Sequence, residues 1–255
     1  MPMTLPAPAR SLAAVALLAF GTVGLPATAE AQTGASDWSG QVTLYGWGAG
    51  VGGDLTPFTG APTLSFDKSL SEVLEDLDGA FFATGLVRRG DFVVVGDFTY
   101  SASSRDGLVP PGVPAAGEVD ITSVTLAAGQ RFRPAAGTTV DLLGGFRHWR
   151  LNGLVEVPLA GVRAEREVTF TDPILALRVN TEVAPRWSLI GYADVGGFGV
   201  GSESTWQGVV TANYQATDNL YLSAGWRHLY LDYRDGGTRF EGYLSGPLIG
   251  ATWRF

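Results

Sequence analysis

The chain has 255 residues, with 25 Asp and Glu against 17 Lys and Arg, a net charge of −8 and no cysteine. The acid excess gives no electrostatic footprint for nucleic acid, and the lack of thiols excludes disulfide staples and thiol redox chemistry. Glycine is abundant at 35 residues, aromatic rings are frequent, and lysine occurs once, as Lys68.

Residues 1–31 read as an export signal. Arg10 precedes the apolar run SLAAVALLAFGTVGL, Pro26 breaks it, and small residues stand two apart at Ala27, Ala29 and Ala31. A positive start, a short apolar centre and an A-x-A site make a secretory signal peptide. The run falls short of the roughly 20 residues of a membrane helix. Cleavage is expected near Ala31, and no cysteine follows it to carry a lipid. Residues 32–255 read as one domain without linker or internal repeat.

From Trp38 onward, apolar residues recur at every second position, the mark of strands with two unlike faces. The first strand, 38–50, sets Val42 and Leu44 against Gln41 and Thr43. The long connection 51–79 then carries six acids (Asp54, Asp67, Glu72, Glu75, Asp76, Asp78) and one base. Within it, Leu70, Val73, Leu74 and Leu77 follow the i, i+3, i+4, i+7 spacing of one helical face. Ser69 and Glu72 fit a capping box, so a short amphipathic helix is expected over Asp67–Leu77. Strands follow at 80–89, 92–104, 119–132, 138–151, 166–181, 187–200, 204–216, 220–233 and 238–255. The 92–104 strand opposes Phe92, Val94, Phe98 and Tyr100 to Asp97, Thr99 and Ser101, and the others alternate likewise. Further long connections are expected at 105–118 and 153–165, and tight ones elsewhere.

A soluble sandwich would show Lys and Glu on its polar face. Here that face holds Gly, Ser, Thr, Asn, Gln and single Asp or Arg residues, which suits the narrow interior of a barrel. The apolar face carries rings near segment ends, among them Phe92, Tyr100, Trp187, Trp206, Tyr214, Trp226, Tyr230, Trp253 and Phe255. Such rings form the interfacial girdles of a membrane barrel. The expected fold is therefore all-β, a transmembrane up-and-down antiparallel barrel of ten strands with a short helix in its first external loop. Eight strands is the alternative if the 80–104 hairpin or the 166–181 segment is misread. Even parity puts both termini in the periplasm. The helix is expected to pack on the rim; a sharper reading folds it into the mouth. The acids of its loop read as a solvated surface, against the alternative of divalent cations or bridges to lipopolysaccharide.

Asp97, Arg131, Asp141, Arg147, Arg178, Asp194 and Arg227 share the inward parity. Isolated charges in a narrow lumen are costly to desolvate, so these are expected to pair and brace the wall. His148 and His228 fall on the outward face beside aromatics. Asp232 and Asp235 follow His228 and raise a rim protease of the ten-stranded omptin type, but the paired carboxylates beside a His-Asp pair are not found. GGFGVGS lacks the third glycine and the following helix of a nucleotide loop and reads as a curved strand closing a tight turn. No catalytic residue, metal site or cofactor is expected.

The segment RWSLIGYADVGGFGVGSESTWQ (186–207), with DPILALR, WRHLYLDYRDGG, LYGWGAG and FDKSLSEVLEDLDGA, resembles a poorly characterised family of Gram-negative outer-membrane β-barrel proteins. The resemblance covers nearly the whole chain after the export signal. It implies an outer-membrane barrel and carries no activity and no catalytic residues. Gly250, Trp253 and Phe255 also resemble the terminal signal read by the barrel assembly machinery, although Leu248 stands where a polar residue is usual. The expected role is non-enzymatic, structural or surface-interacting, with a largely filled polar lumen. A narrow channel for small ions or solutes and a rim-located hydrolase are the alternatives. Outer-membrane lipid, lipopolysaccharide and the assembly machinery are the expected partners; the oligomeric state is left open.

Overall fold

The computed structural model describes residues 38–56, 59–60, 62–109 and 112–255; the export signal expected over 1–31 lies outside them. Twelve strands make one antiparallel sheet: β1 (Trp38–Trp47), β2 (Gly50–Thr56), β3 (Leu64–Lys68), β4 (Leu77–Arg89), β5 (Phe92–Val109), β6 (Val113–Ala135), β7 (Thr138–Val157), β8 (Val162–Ala184), β9 (Trp187–Gly197), β10 (Ser204–Gln215), β11 (Leu220–Asp235) and β12 (Thr238–Arg254). Ten of these, all but β2 and β3, follow one another around a ring that closes where β12 pairs with β1. The seam runs from Gln41 opposite Arg254 to Trp47 opposite Leu248. Gly40 and Phe255 extend it, each donating its N–H to the other's carbonyl at 2.9 Å. Closure leaves no unpaired edge along the seam. The first and last strands start and finish at one end, called here the turn end; the opposite end is the loop end.

The wall is inside out relative to a soluble protein. Val210, Ile249 and Leu175 on its outer face are 62%, 69% and 61% exposed, whereas the inward Asp141, Asp172 and Arg147 are almost completely buried. Outward rings mark both margins, Phe92, Trp187 and Trp253 near the turn end and Tyr100, Trp206 and Tyr243 near the loop end. Eight positions separate Phe92 from Tyr100 on β5. At about 3.4 Å per residue and a tilt of about 40° that is a band roughly 20 Å tall, near the height of a bilayer's apolar layer. Two inward glycines are required by the curvature. A Cβ on Gly145 would come within 2.0 Å of the Leu126 carbonyl oxygen, and one on Gly225 within 1.9 Å of that of Val210.

The loop end departs from the expected connections. Residues 105–118 and 153–165 are mostly strand: β5 and β6 stay paired out to Val109 and Val113, and β7 and β8 out to Val157 and Val162. Continuing the ladder satisfies backbone groups that a loop would leave to water. The 187–200 strand stops instead at Gly197, where a tight turn begins.

The first connection differs more. β2 continues the line of β1 along β12 beyond Gly48, whose N–H donates to the Pro247 carbonyl at 2.9 Å, and β3 folds back on β2. β4 pairs with β1 only as far as Phe82 opposite Tyr45, and beyond that with β5 alone. The wall therefore parts between β3 and β4 at the loop end. A short helix, α1 (Leu70–Asp76), bridges the gap and packs on β2, β3 and β5. Ser69 caps it: Ser69 N–H donates to Glu72 Oε2 at 2.8 Å and Glu72 N–H to Ser69 Oγ at 3.5 Å. The helix is shorter than Asp67–Leu77, because Asp67 and Lys68 belong to β3 and Leu77 pairs with Ser103 as the first residue of β4. Leu70 lies against Gly48, whereas Leu74 is exposed and no residue of α1 is buried.

Candidate functional site: the barrel lumen

Successive inward positions on β7 sample the lumen from the turn end to the loop end. Asp141, Leu143, Arg147 and Trp149 point inward at 0%, 4%, 1% and 3% exposure. Gly145 between them makes room where the wall bends. A charge, an alkyl chain, a second charge and an indole thus fill the interior in layers.

The seven inward charges gather into three clusters. Near the turn end, Arg131 donates two parallel bonds to Asp141, at 2.6 and 2.8 Å, and Arg178 approaches the same carboxylate at 3.3 Å. Nearer the loop end, Arg147 of β7 reaches past β8 to Asp194 of β9 at 2.6 and 3.1 Å. Gln207 donates to Asp194 at 2.6 Å, while Arg147 also donates to Thr125 at 3.0 Å and to Thr205 at 3.5 Å. In the third cluster, Arg227 lies 3.3 Å from Asp97, and Tyr45 donates to Asp97 at 2.9 Å and accepts from Arg227. The Arg227 guanidinium also sits over the Trp47 ring at 4.6 Å. Removing either partner of such a buried, hydrogen-bonded pair would leave the other charge uncompensated, which ties the members of each cluster together.

The interior is not polar throughout. Leu86, Val93, Val95, Ala127, Leu143, Ile174 and Ala176 form one buried apolar cluster with Tyr192 against it. A largely filled polar lumen is the expectation, and this apolar layer is a departure within an interior whose buried residues are otherwise mostly polar. Apolar side chains can face inward here because they pack on one another across the interior. Val93 and Val95 stand in the run FVVV, where apolar residues occupy both faces and alternation is lost. Asp172 was also missed; it accepts from Ser202 N–H at 2.6 Å and Ser202 Oγ at 2.9 Å. That pair tucks the β9–β10 turn over the lumen. Beside it, Phe170 stacks on Trp149 at 6.2 Å and on Tyr233 at 4.5 Å.

The other candidate residues lie on the outer wall and rim. His148 is exposed and bonds Thr171 Oγ1 at 2.9 Å. His228 is sandwiched between Trp206 and Tyr243 at 4.8 and 5.7 Å. Asp232 accepts two bonds from Arg234. Among the described residues no group of three or more His, Asp or Glu side chains is placed to hold a metal ion. Five of the six acids of the first connection bond neighbouring side chains or a helix cap. Asp54 accepts from Ser65, Asp67 from Tyr243 and Asp78 from Ser104. Asp76 joins Lys68 of β3 at 2.8 Å to Arg105 of β5 at 3.4 Å, across the parting in the wall. The Lys68 bond holds the Asp76 carboxyl below the ordinary range, as the Ser69 cap does for Glu72. At the other end, Trp253 and Phe255 point outward at 55% and 66% exposure. Gly250 faces inward, where a Cβ would meet Ser223 Oγ at 2.9 Å.

No known family profile matches the chain, and no curated protein matches it by sequence. Solved structures do. The outer-membrane protease OmpT from Escherichia coli is 11% identical with a TM-score of 0.50, over 89% of this chain and 99% of that one. The translocator domain of the autotransporter NalP from Neisseria meningitidis is 10% identical with a TM-score of 0.47, over 88% and 90%. Ail, the attachment invasion locus protein of Yersinia pestis, is 13% identical with a TM-score of 0.40, over 86% and 98%. At such identities the OmpT likeness speaks for the fold alone: the chain is built as a closed, ten-stranded antiparallel β-barrel.

Proposed function

We propose that the protein is an integral outer-membrane barrel with a structural or surface-interaction role, presenting its loop end outside the cell and both termini to the periplasm. In this reading the apolar band stands in lipid, with lipopolysaccharide around the extended hairpins. The barrel assembly machinery reads the last strand through Gly250, Trp253 and Phe255. The seven lumen charges brace the wall and carry out no chemistry on a substrate. The observation that carries the reading is the column on β7, where Asp141, Leu143, Arg147 and Trp149 are buried at successive levels of the interior. A barrel so filled supports a plugged body, and its paired hairpins and α1 make the loop end the surface on offer.

The test is reconstitution in planar bilayers. The purified barrel is expected to give no single-channel steps. Reproducible steps of fixed conductance would overturn the plugged lumen and move the reading to a narrow channel. Turnover of peptide or lipid substrates, lost on His148→Ala or His228→Ala, would move it to a rim hydrolase.

A further inference from the structure

The turn end of the lumen is basic, although the chain as a whole is acidic. A cavity of about 220 Å³ lies there, lined by Ser39, Asn180 and four arginines, Arg88, Arg131, Arg178 and Arg254. These come from four strands, β4, β6, β8 and β12, so barrel closure itself brings them together. One side-chain carboxylate, Asp141, faces them, and Arg131 and Arg178 already engage it. Among the described residues neither Arg88 nor Arg254 has a carboxylate within ion-pairing distance. Counted by side chains, four guanidiniums face one carboxylate, an excess that the terminal carboxyl of Phe255 at the cavity offsets only in part.

Two buried polar atoms at the cavity also lack a partner. Arg254 stacks its guanidinium on Tyr221 at 3.7 Å, which fixes its plane, and its buried Nε–H has no acceptor. The buried Oδ1 of Asn180 has no donor. A buried guanidinium N–H without an acceptor carries a desolvation cost, and converging guanidiniums repel one another. Both penalties are relieved by the same thing, a small anion with several acceptor oxygens. Guanidinium forks match the oxygens of phosphate two at a time. The volume holds several waters, at about 30 Å³ each, and so admits one such group.

We propose that this cavity is a binding site for a phosphate-type oxyanion, supplied from solution as inorganic phosphate or presented by a lipid headgroup at that face of the membrane. Arg88 and Arg254 are its free ligands; Arg131 and Arg178, held by Asp141, form its floor. The site goes beyond the role of the loop end and holds whether or not the barrel conducts.

The barrel in nonionic detergent is titrated with inorganic phosphate by calorimetry, and its unfolding temperature is followed as phosphate or, separately, phosphatidylglycerol is added. One saturable phosphate site is expected, with a rise in unfolding temperature. The double variant R88Q/R254Q is expected to lose at least tenfold in affinity, and Arg88→Gln alone at least threefold. Arg133→Gln, an exposed arginine paired with Asp91 outside the cavity, is expected to bind as the parent does. Phosphate binding assigns the solution source. Stabilisation by phosphatidylglycerol alone, lost in the same variants, assigns the headgroup. No effect of either ligand overturns the site, as does binding that survives R88Q/R254Q. If the double variant fails to fold, Arg88→Gln decides, and unchanged affinity there also overturns it.

Discussion

Arg147→Met is the perturbation that most directly tests whether the lumen is dry. Asp194 is 3% exposed and accepts three hydrogen bonds, two from Arg147 and one from Gln207. The substitution keeps an alkyl stem of similar shape but removes two charge-assisted bonds, each worth about 1.5–3 kcal/mol. It also leaves a buried carboxylate with one amide donor, and breaking a buried pair from one side costs about 3–5 kcal/mol. The expected loss is therefore about 3–5 kcal/mol, read as the shift in urea unfolding of the lipid-reconstituted barrel by tryptophan fluorescence. The companion R147M/D194L removes both charges and should recover most of the loss, since an apolar replacement of a buried pair is often close to neutral. A loss under about 1 kcal/mol for Arg147→Met, the range of exposed pairs, would refute the reasoning, because water would then be reaching the pair.

Gly225→Ala sets a methyl against the Val210 carbonyl at 1.9 Å; it should destabilise the barrel by about 1–3 kcal/mol or more, as overpacking does, in the same assay. Ser69→Ala removes the cap of α1 and should cost that helix about 0.5–2 kcal/mol, seen as faster hydrogen exchange over 70–76 with global unfolding unchanged. The Asp76 carboxyl is held low by Lys68, so its contribution is present above the ordinary carboxylate pKa of about 3.9 and is lost as pH falls through the depressed folded value. Exchange over 64–77 should rise on that acidification, and Asp76→Asn should abolish the pH dependence. Phe255→Ala with Trp253→Ala should slow insertion into vesicles assisted by the assembly machinery more than spontaneous insertion; equal slowing would count against an address read by that machinery.

The fold was legible because alternation is local. Val42 and Leu44 against Gln41 and Thr43 declare two faces of β1 with no knowledge of its neighbours, and the poverty of that polar face in Lys and Glu tells which side is the lumen. The hairpin β2–β3 was not legible. Its sequence, from Gly50 to Lys68, is rich in glycine and proline, and it becomes strand because β12 runs beyond β1 and offers an edge. The end of α1 at Asp76 has the same origin, since Leu77 continues the apolar spacing but is claimed by pairing with Ser103. In the lumen, parity can name the charges that face inward but not their partners. Arg147 meets Asp194 across an intervening strand because tilt and stagger bring them to one height, and those are properties of the closed ring. The apolar layer is hidden for a simpler reason: Val93 and Val95 lie in an unbroken valine run, where the face that Asp97 and Thr99 mark as inward carries apolar residues and alternation is lost.

The Lys68–Asp76–Arg105 bridge has a practical consequence. Lys68 is the sole lysine of the chain, and its side chain is 33% exposed where β3 and β4 part. An amine-directed dye or crosslinker therefore addresses one side chain, and modifying it removes the tie to Asp76. The yield of that reaction on the purified barrel measures how often the tie is open, so the rim carries its own reporter of breathing at the parted wall without an engineered cysteine.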